Sequence, residues 1–234
     1  FALFMIPFIL WTPDEPARAE NRMQAVKTTL SETWATLKTL HHRPNVLRFL
    51  IARMTYYDGL NALFAFGGVY AAVRFGWGTT ELGIFGIIIL IFGVPGCFIG
   101  GWLDDRIGSK RMLFISVGGL FLTMLGILSI GDGKVLFVVE AAFPQPDDGL
   151  FASQAELYMI AFAAALGIFA GPSQAASRSM IARLAPPDQI GKYFGLFALS
   201  GKATSFLAPF LIGVLLAYVG DRWSYGVILL FLFI

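Results

Sequence analysis

The chain of 234 residues is 57% hydrophobic and only 14% charged, with a mean hydropathy of +0.72. Soluble domains carry about 45–50% apolar and about 25% charged residues, so this composition excludes an ordinary soluble protein. It also excludes a disordered chain, and the net charge of +2 argues against nucleic-acid binding. The 26 glycines and 23 phenylalanines are typical of helices packed in lipid. The composition therefore predicts an all-α polytopic membrane protein.

Both ends of the chain are apolar runs that are too short to cross a bilayer. Residues 1–11 and 223–234 each fall below the about 20 helical residues that this requires. We interpret them as the truncated first and last transmembrane helices of a longer protein. Residues 12–45 between the first run and the next span are polar.

This polar stretch contains an amphipathic pattern with apolar residues three and four positions apart. Such a helix is expected to lie along the membrane interface, and a soluble linker helix would show the same pattern. Its predicted apolar face comprises Met23, Val26, Leu30, Trp34, Leu37 and Leu40.

Five full spans are predicted, at residues 46–73, 82–103, 112–130, 157–184 and 193–219. The fourth is expected to be interrupted at Gly171 and Pro172, because proline lacks a backbone donor and disturbs a helix interior. The run at 135–139 is too short to span and predicts a small β-hairpin. Most of the 17 basic residues, Arg53 among them, fall on one side of these spans, and the positive-inside rule places that side in the cytoplasm.

No pattern in the sequence indicates an enzyme. His41 and His42 have no cysteine or acidic cluster at a metal-ligand spacing. Gly195 with Gly201 and Lys202 is one residue too long for a phosphate-binding loop, and the hydroxyl residue is missing. We therefore expect no catalytic residue, no cofactor and no metal site, and a transport process driven by a gradient.

The loop at residues 101–111, between the second and third spans, reads GWLDDRIGSKR. It resembles the G-x-L-x-D-[RK]-x-G-[RK]-[RK] gating loop of the major facilitator superfamily, although Ser109 stands at a basic position. Glycines permit a sharp turn between two helices, and a carboxylate there can bind the positive end of a neighbouring helix. The resemblance implies a gating role for Gly101, Leu103, Asp105, Arg106, Gly108 and Lys110.

Proteins of that superfamily have two six-helix halves that rock about a central cavity. The resemblance implies that this chain is the C-terminal half of such a fold, with its first and last helices truncated. Residues 1–11 are then the end of helix six, and residues 12–45 are a cytoplasmic linker. Residues 46–234 form the bundle from helix seven to the start of helix twelve. The missing N-terminal half of the same polypeptide would be a partner.

A narrower resemblance rests on three segments, which read YYDGLN at 56–61, GPSQAASRS at 171–179, and FG at 194–195 with SGK at 200–202. They are similar to the autophagy-related vacuolar effluxer family and its bacterial relatives. Fungal members of that family are associated with amino-acid efflux from the vacuole. The resemblance implies a secondary active transporter of a small polar solute, with amino acids as candidates, in a bacterial inner membrane. Lipid, the solute and a coupling proton or ion are the implied partners.

Ionisable residues within the spans are the candidates for the cavity. Asp58 and Lys202 lie at depths of about 18 and 14 Å in spans that begin on the same side. A lone charge there is costly, so we hypothesise a breakable ion pair that serves the solute or proton coupling, with a static structural pair as the alternative. Arg178 could face the cavity or reach lipid phosphates. The predicted cavity comprises Asp58, Asn61, Gln174, Ser177, Arg178 and Lys202.

Two other functions are compatible with the same fold. A non-transporting sensor or scaffold could retain it, but such a protein has no reason to keep ionisable groups in hydrocarbon. A drug-efflux carrier would be expected to have a mostly aromatic and aliphatic cavity. The polar residues within the spans therefore favour transport of a polar solute.

Overall fold

The computed structural model describes residues 40–131, 133–145, 149–218 and 224–233, together with four isolated positions between 31 and 38. The chain divides into two compact units, Phe1–Thr39 and Leu40–Ile234. The predicted end of helix six and most of the predicted interfacial helix lie outside the described residues.

The four described residues of the first unit are helical: Ser31, Trp34, Leu37 and Lys38. The Lys38 ammonium lies 5.8 Å from the centre of the Trp34 ring, the contact expected for residues four apart on one helix.

Seven helices and one hairpin are described in the second unit. Short 3₁₀ turns at Leu40–His42 and Pro187–Gln189 precede α1 and α5. The antiparallel strands β1 (Lys134–Val135) and β2 (Val139–Glu140) confirm the predicted hairpin. The helices are α1 Pro44–Phe75, α2 Thr79–Ile107, α3 Ser109–Ser129, α4 Gln154–Leu184, α5 Ile190–Ala203, α6 Leu207–Leu216 and α7 Val227–Phe233.

Four segments are long and apolar enough to cross a membrane: α2, α3, α4 and the stretch Pro187–Leu216 that contains α5 and α6. The second unit therefore has the architecture of an all-α, multi-pass membrane protein. α1 is also long enough, with 32 residues, but it is less apolar than these four and carries Arg48, Arg53 and Asp58.

The helix boundaries follow from local sequence. Pro44 occupies the first turn of α1, where its missing N–H costs nothing, and Gly76 ends α1 in the left-handed region with φ of 70°. α4 begins with a capping box, in which Ser153 and Glu156 satisfy each other's backbone amides. The buried Glu156 carboxylate also accepts a hydrogen bond from the Trp77 indole at 2.7 Å, which links the start of α4 to the loop after α1.

The predicted interruption at Gly171 and Pro172 is wrong, because α4 is continuous through both residues. Proline at this position leaves the carbonyl of Ile168 without its helical donor. Gly96 of α2 lies directly against that carbonyl, so close that a Cβ on Gly96 would be 2.6 Å from its oxygen. The proline ring in turn packs over Gly100 of α2. The neighbouring helix therefore accommodates the proline without a break.

The predicted span at 193–219 agrees with the apolar stretch Pro187–Leu216, but a bend at residues 204–206 divides that stretch into α5 and α6. Pro209 lies in the first turn of α6 and cannot donate to the Ser205 carbonyl, as a continuous helix would require. The Ser205 hydroxyl instead donates to the carbonyl of Lys202 at 3.0 Å, which closes the end of α5.

Glycines allow α2 and α4 to touch along their backbones. Gly167 of α4 lies against the Ile89 carbonyl, and Gly171 lies against the Cys97 sulfur. With Gly96 at the Ile168 carbonyl, these positions form a seam that we call the glycine seam. Such close approach is typical of helix packing in lipid, where small residues replace large ones at the interface.

The glycine seam predicts unequal effects of two substitutions on α2. Gly96→Ala would force a methyl group onto the Ile168 carbonyl and should lower stability by about 1–3 kcal/mol. Gly86→Ala on the same helix is the matched control, because a Cβ there meets nothing within 4 Å. Thermal unfolding of the purified protein in detergent measures both, and equal melting temperatures would contradict the packing described here.

Candidate functional site

Buried polar groups gather around one segment of α1, at residues 53–58. Arg53, Tyr56 and Asp58 are all buried there, although α1 is surrounded by apolar helices. α4, α5 and α6 supply the groups that bind them. We call this set the polar junction: Arg53, Tyr56, Asp58, Ser177, Ser200 and the backbone amide of Ala208.

The carboxylate of Asp58 binds the start of α6. Asp58 is 1% exposed, and its Oδ2 accepts a hydrogen bond from the Ala208 amide at 3.0 Å. Ala208 is the second residue of α6, where helix amides lack internal acceptors and the helix dipole favours a negative charge. Oδ1 of Asp58 is buried and has no hydrogen-bond partner in the described part of the chain. Half of the acceptor capacity of this carboxylate is therefore unused.

Arg53 binds the last turns of α5. Its Nη1 donates to the Phe197 carbonyl at 2.6 Å and to the Ser200 hydroxyl at 2.9 Å. The guanidinium lies 3.5 Å from the centre of the Phe197 ring and 4.7 Å from that of Tyr57, so it is stabilised by aromatic faces. A Cβ on Gly201 would lie 2.5 Å from Nη1, so a larger residue there would force the guanidinium to shift.

Tyr56 connects α1 to α4. Its hydroxyl forms a short hydrogen bond with the Ser177 hydroxyl, which also donates to the Ser173 carbonyl. Past the end of α5, the Thr204 hydroxyl donates to the Met54 carbonyl at 3.2 Å. One and a half turns of α1 therefore contact α4, α5, the bend and α6.

The structure does not bring all of the predicted cavity residues together. Asp58 and Ser177 belong to the polar junction, whereas Asn61 and Gln174 are half-buried and make no bond to it. Lys202 is exposed at the end of α5 and is not paired with Asp58. Lys202 lies before the bend, and the helix that starts again after the bend places the Ala208 amide at Asp58 instead.

Arg178 is exposed on α4, four residues from Gln174 on the same helix face. It directly follows Ser177, which binds Tyr56 of the polar junction, and its own side chain is exposed.

At the junction of α2 and α3, the buried carboxylate is not that of Asp105 but that of its neighbour. Asp105 is exposed, whereas Asp104 is buried, with its Oδ2 3.9 Å from Nη2 of Arg183 on α4. Arg106 folds back over the Trp102 ring at 3.9 Å. Gly108 turns the chain with φ of 86°, as expected for a glycine in a sharp turn. Of the other predicted gating residues, Gly101 and Lys110 are exposed and Leu103 is half-buried.

The sequence model of the family called vacuole effluxer Atg22 like matches residues 1–234. The chain belongs to this family. Autophagy-related protein 22 of Cryptococcus neoformans var. neoformans serotype D (strain B-3501A) is 23% identical and covers 94% of this chain and 40% of its own length. Autophagy-related protein 22 of Saccharomyces cerevisiae (strain ATCC 204508 / S288c) is 24% identical over 81% of this chain and 34% of its own length. The uncharacterized MFS-type transporter YxiO of Bacillus subtilis (strain 168) is 24% identical over 85% of this chain and 41% of its own length. The chain thus spans between about a third and two fifths of the length of these relatives.

The three segments that carry the resemblance to the Atg22-like family meet at the polar junction. Tyr56 from the first segment binds Ser177 from the second, and Ser200 from the third binds Arg53. Arg53 itself was missed, because it was counted with the basic residues of the cytoplasmic side. Its position three residues before Tyr56, on the same helix face, was the available signal.

The bond from Ala208 predicts different effects of two substitutions at Asp58. Asp58→Asn keeps an oxygen that can accept from the amide, so the protein should fold with near-normal stability. Asp58→Leu leaves the buried amide unpaired and should cost about 1–3 kcal/mol of unfolding free energy. Asp188→Leu, at an exposed acidic position in the turn before α5, is the control. Thermal unfolding in detergent measures all three, and an Asp58→Leu protein as stable as the parent would contradict the assigned bond.

Proposed function

We propose that this chain is part of a secondary active transporter of the major facilitator superfamily that moves a small polar solute by alternating access. The observation that carries the proposal is the buried Asp58 carboxylate at the start of α6, the second half of a broken helix. The name of the family and that of the Bacillus relative, which is an MFS-type transporter, support the same function.

A broken helix at membrane depth has a specific chemical use. It presents the ends of two half-helices, whose amides and carbonyls can bind ions and polar solutes near the midplane. A carboxylate placed there costs about 2.5–3.5 kcal/mol on insertion scales, so it is retained where it binds something. The unpartnered Oδ1 of Asp58 offers an acceptor for an ammonium group or a site for a coupling proton.

The charges near Asp58 favour an amino acid as the solute. A zwitterion needs an anionic site for its ammonium and a cationic site for its carboxylate. Asp58 supplies the first. Arg178, which is exposed and follows Ser177 of the polar junction, is our candidate for the second, in place of Lys202, which lies at the end of α5. The proposed cavity therefore has Asp58 and Arg178 as its charged groups, with Asn61, Gln174 and Ser177 on the same two helices.

We further propose that the described helices are the C-terminal half of a two-half fold. α1 to α4 then correspond to helices seven to ten, α5 with α6 to helix eleven, and α7 to the start of helix twelve. An N-terminal half would complete the cavity, which agrees with the two-fifths share of the relatives that this chain covers.

Transport assays on the intact protein in proteoliposomes test this function. With a panel of radiolabelled amino acids, Asp58→Asn should lower the transport rate at least about tenfold while the protein stays folded. Asp188→Asn removes an exposed carboxylate and should leave the rate unchanged. A parental rate for Asp58→Asn would overturn the assigned role, and no uptake or efflux of any amino acid would overturn the solute class.

The gating loop gives a second transport prediction. Asp105 is exposed at a helix junction far from the midplane, so it should control conformation and not affinity. Asp105→Asn should abolish or strongly slow transport, while binding of the solute in detergent persists. Glu140→Gln, in the hairpin between α3 and α4, is the charge-matched control. The assigned role would be contradicted if Asp105→Asn transported at the parental rate.

A further inference from the structure

The turn of the β1–β2 hairpin exposes a continuous apolar patch. Leu136, Phe137, Val138 and Val139 follow one another in the chain, and each is between 43% and 79% exposed. We call these four residues the apolar turn. In water, an exposed apolar run on a two-stranded sheet would favour pairing with other chains. An exposed patch of this kind therefore indicates contact with a membrane or with another protein.

The hairpin is fixed to the end of α3, which sets its height in the membrane. The Leu136 amide donates to the hydroxyl of Ser129, the last residue of α3, at 2.9 Å. Val135 is fully buried, in the same apolar cluster as Ile127 and Ile130. α3 has 21 residues and is about 31 Å long, close to the about 30 Å thickness of the hydrocarbon core. The apolar turn therefore lies where the hydrocarbon meets the lipid headgroups.

The backbone of the apolar turn does not by itself account for its residues. The Val138 amide donates to the Val135 carbonyl at 3.3 Å, which closes a four-residue turn. Its central residues, Leu136 and Phe137, have φ of 54° and 63°. Such turns prefer asparagine and glycine, because bulky side chains are strained at positive φ. An apolar environment for the two side chains would offset that strain.

The last described helix leads away from the apolar turn. The Tyr70 hydroxyl donates to the Ile130 carbonyl at 3.3 Å, which places this part of α1 beside the start of the hairpin. The Tyr225 ring lies 5.2 Å from the Tyr70 ring, and Phe231, further along the chain, packs against Gly59 in the middle of α1. α7 therefore runs along α1 away from the hairpin, and the exposure of the apolar turn does not depend on the length of that helix.

We propose that the apolar turn inserts into the lipid bilayer, with its side chains at the boundary between headgroups and acyl chains. Aliphatic and aromatic side chains bind at this boundary without having to cross the bilayer. Behind the turn, Lys134 and Glu140 lie opposite each other on the two strands, which keeps the charged pair out of the apolar run. The hairpin is at the opposite end of α3 from the basic loop at 101–111, so the positive-inside rule predicts the non-cytoplasmic leaflet. This lipid contact does not rest on the proposed solute.

Spin labelling of the intact protein in phospholipid nanodiscs tests the proposal. The native cysteines, Cys97 among them, are replaced by alanine, and a nitroxide is attached to Val138→Cys, at the most exposed position of the apolar turn. Asp188→Cys, at an exposed position before α5, is the reference in water. Molecular oxygen is concentrated in hydrocarbon and a polar nickel complex is excluded from it. The ratio of oxygen to nickel collision rates should therefore be at least about tenfold higher at position 138 than at position 188.

A second variant tests whether the side chains of the turn cause the insertion. Leu136→Asn combined with Phe137→Gly supplies residues that suit the same turn but removes two apolar side chains. With this change, the collision ratio at position 138 should fall toward that at position 188, and an unchanged ratio would overturn the assigned role of the two side chains. In the parent turn, a ratio equal to that at position 188 would place the turn in water and overturn the proposal. Low collision rates with both reagents would also overturn it, because they would show that protein covers the turn.

Discussion

The hydrogen bond from the Ala208 amide to the Asp58 carboxylate is the interaction on which the arrangement of α1, α5 and α6 depends. A helix that breaks within hydrocarbon leaves backbone groups that water cannot reach, so protein groups must bind them. Asp58 binds the start of α6, and Arg53, five residues earlier, binds the end of α5. The Thr204 hydroxyl joins the bend itself to α1. One short segment of α1 therefore makes a broken helix possible, and it places a negative and a positive group at its two ends.

The composition and the lengths of the apolar runs were sufficient to predict the membrane-spanning helices, the hairpin and the burial of Asp58. The partner of Asp58 could not be predicted, because it is a backbone amide that becomes available only where a helix starts again. Pro209 was the sequence signal for that start. It was not used, since an apolar run on both sides of a proline is also what a continuous transmembrane helix shows.

Pro172 shows the opposite case. When the sequence of one helix is considered alone, a proline in its interior predicts a break. Whether the helix does break depends on the neighbouring helix that packs against it. Gly96, 76 positions away, meets the carbonyl that Pro172 leaves without a donor. Arg53 and Asp104 were overlooked for a related reason. Burial decides which charged residue binds a neighbouring helix. It is not revealed by counting charges on each side of the membrane or by matching a loop pattern.

The glycine seam limits how α2 and α4 can move. Packed helices usually accommodate motion by small sliding steps, during which side chains exchange rotamers. Where Gly96 and Gly167 bring two backbones into contact, no side chains stand between them that could exchange. α2 and α4 therefore have little freedom to slide past each other at these contacts. The bend at residues 204–206 is held differently, because side chains and a backbone amide bind it and the start of α6 to α1.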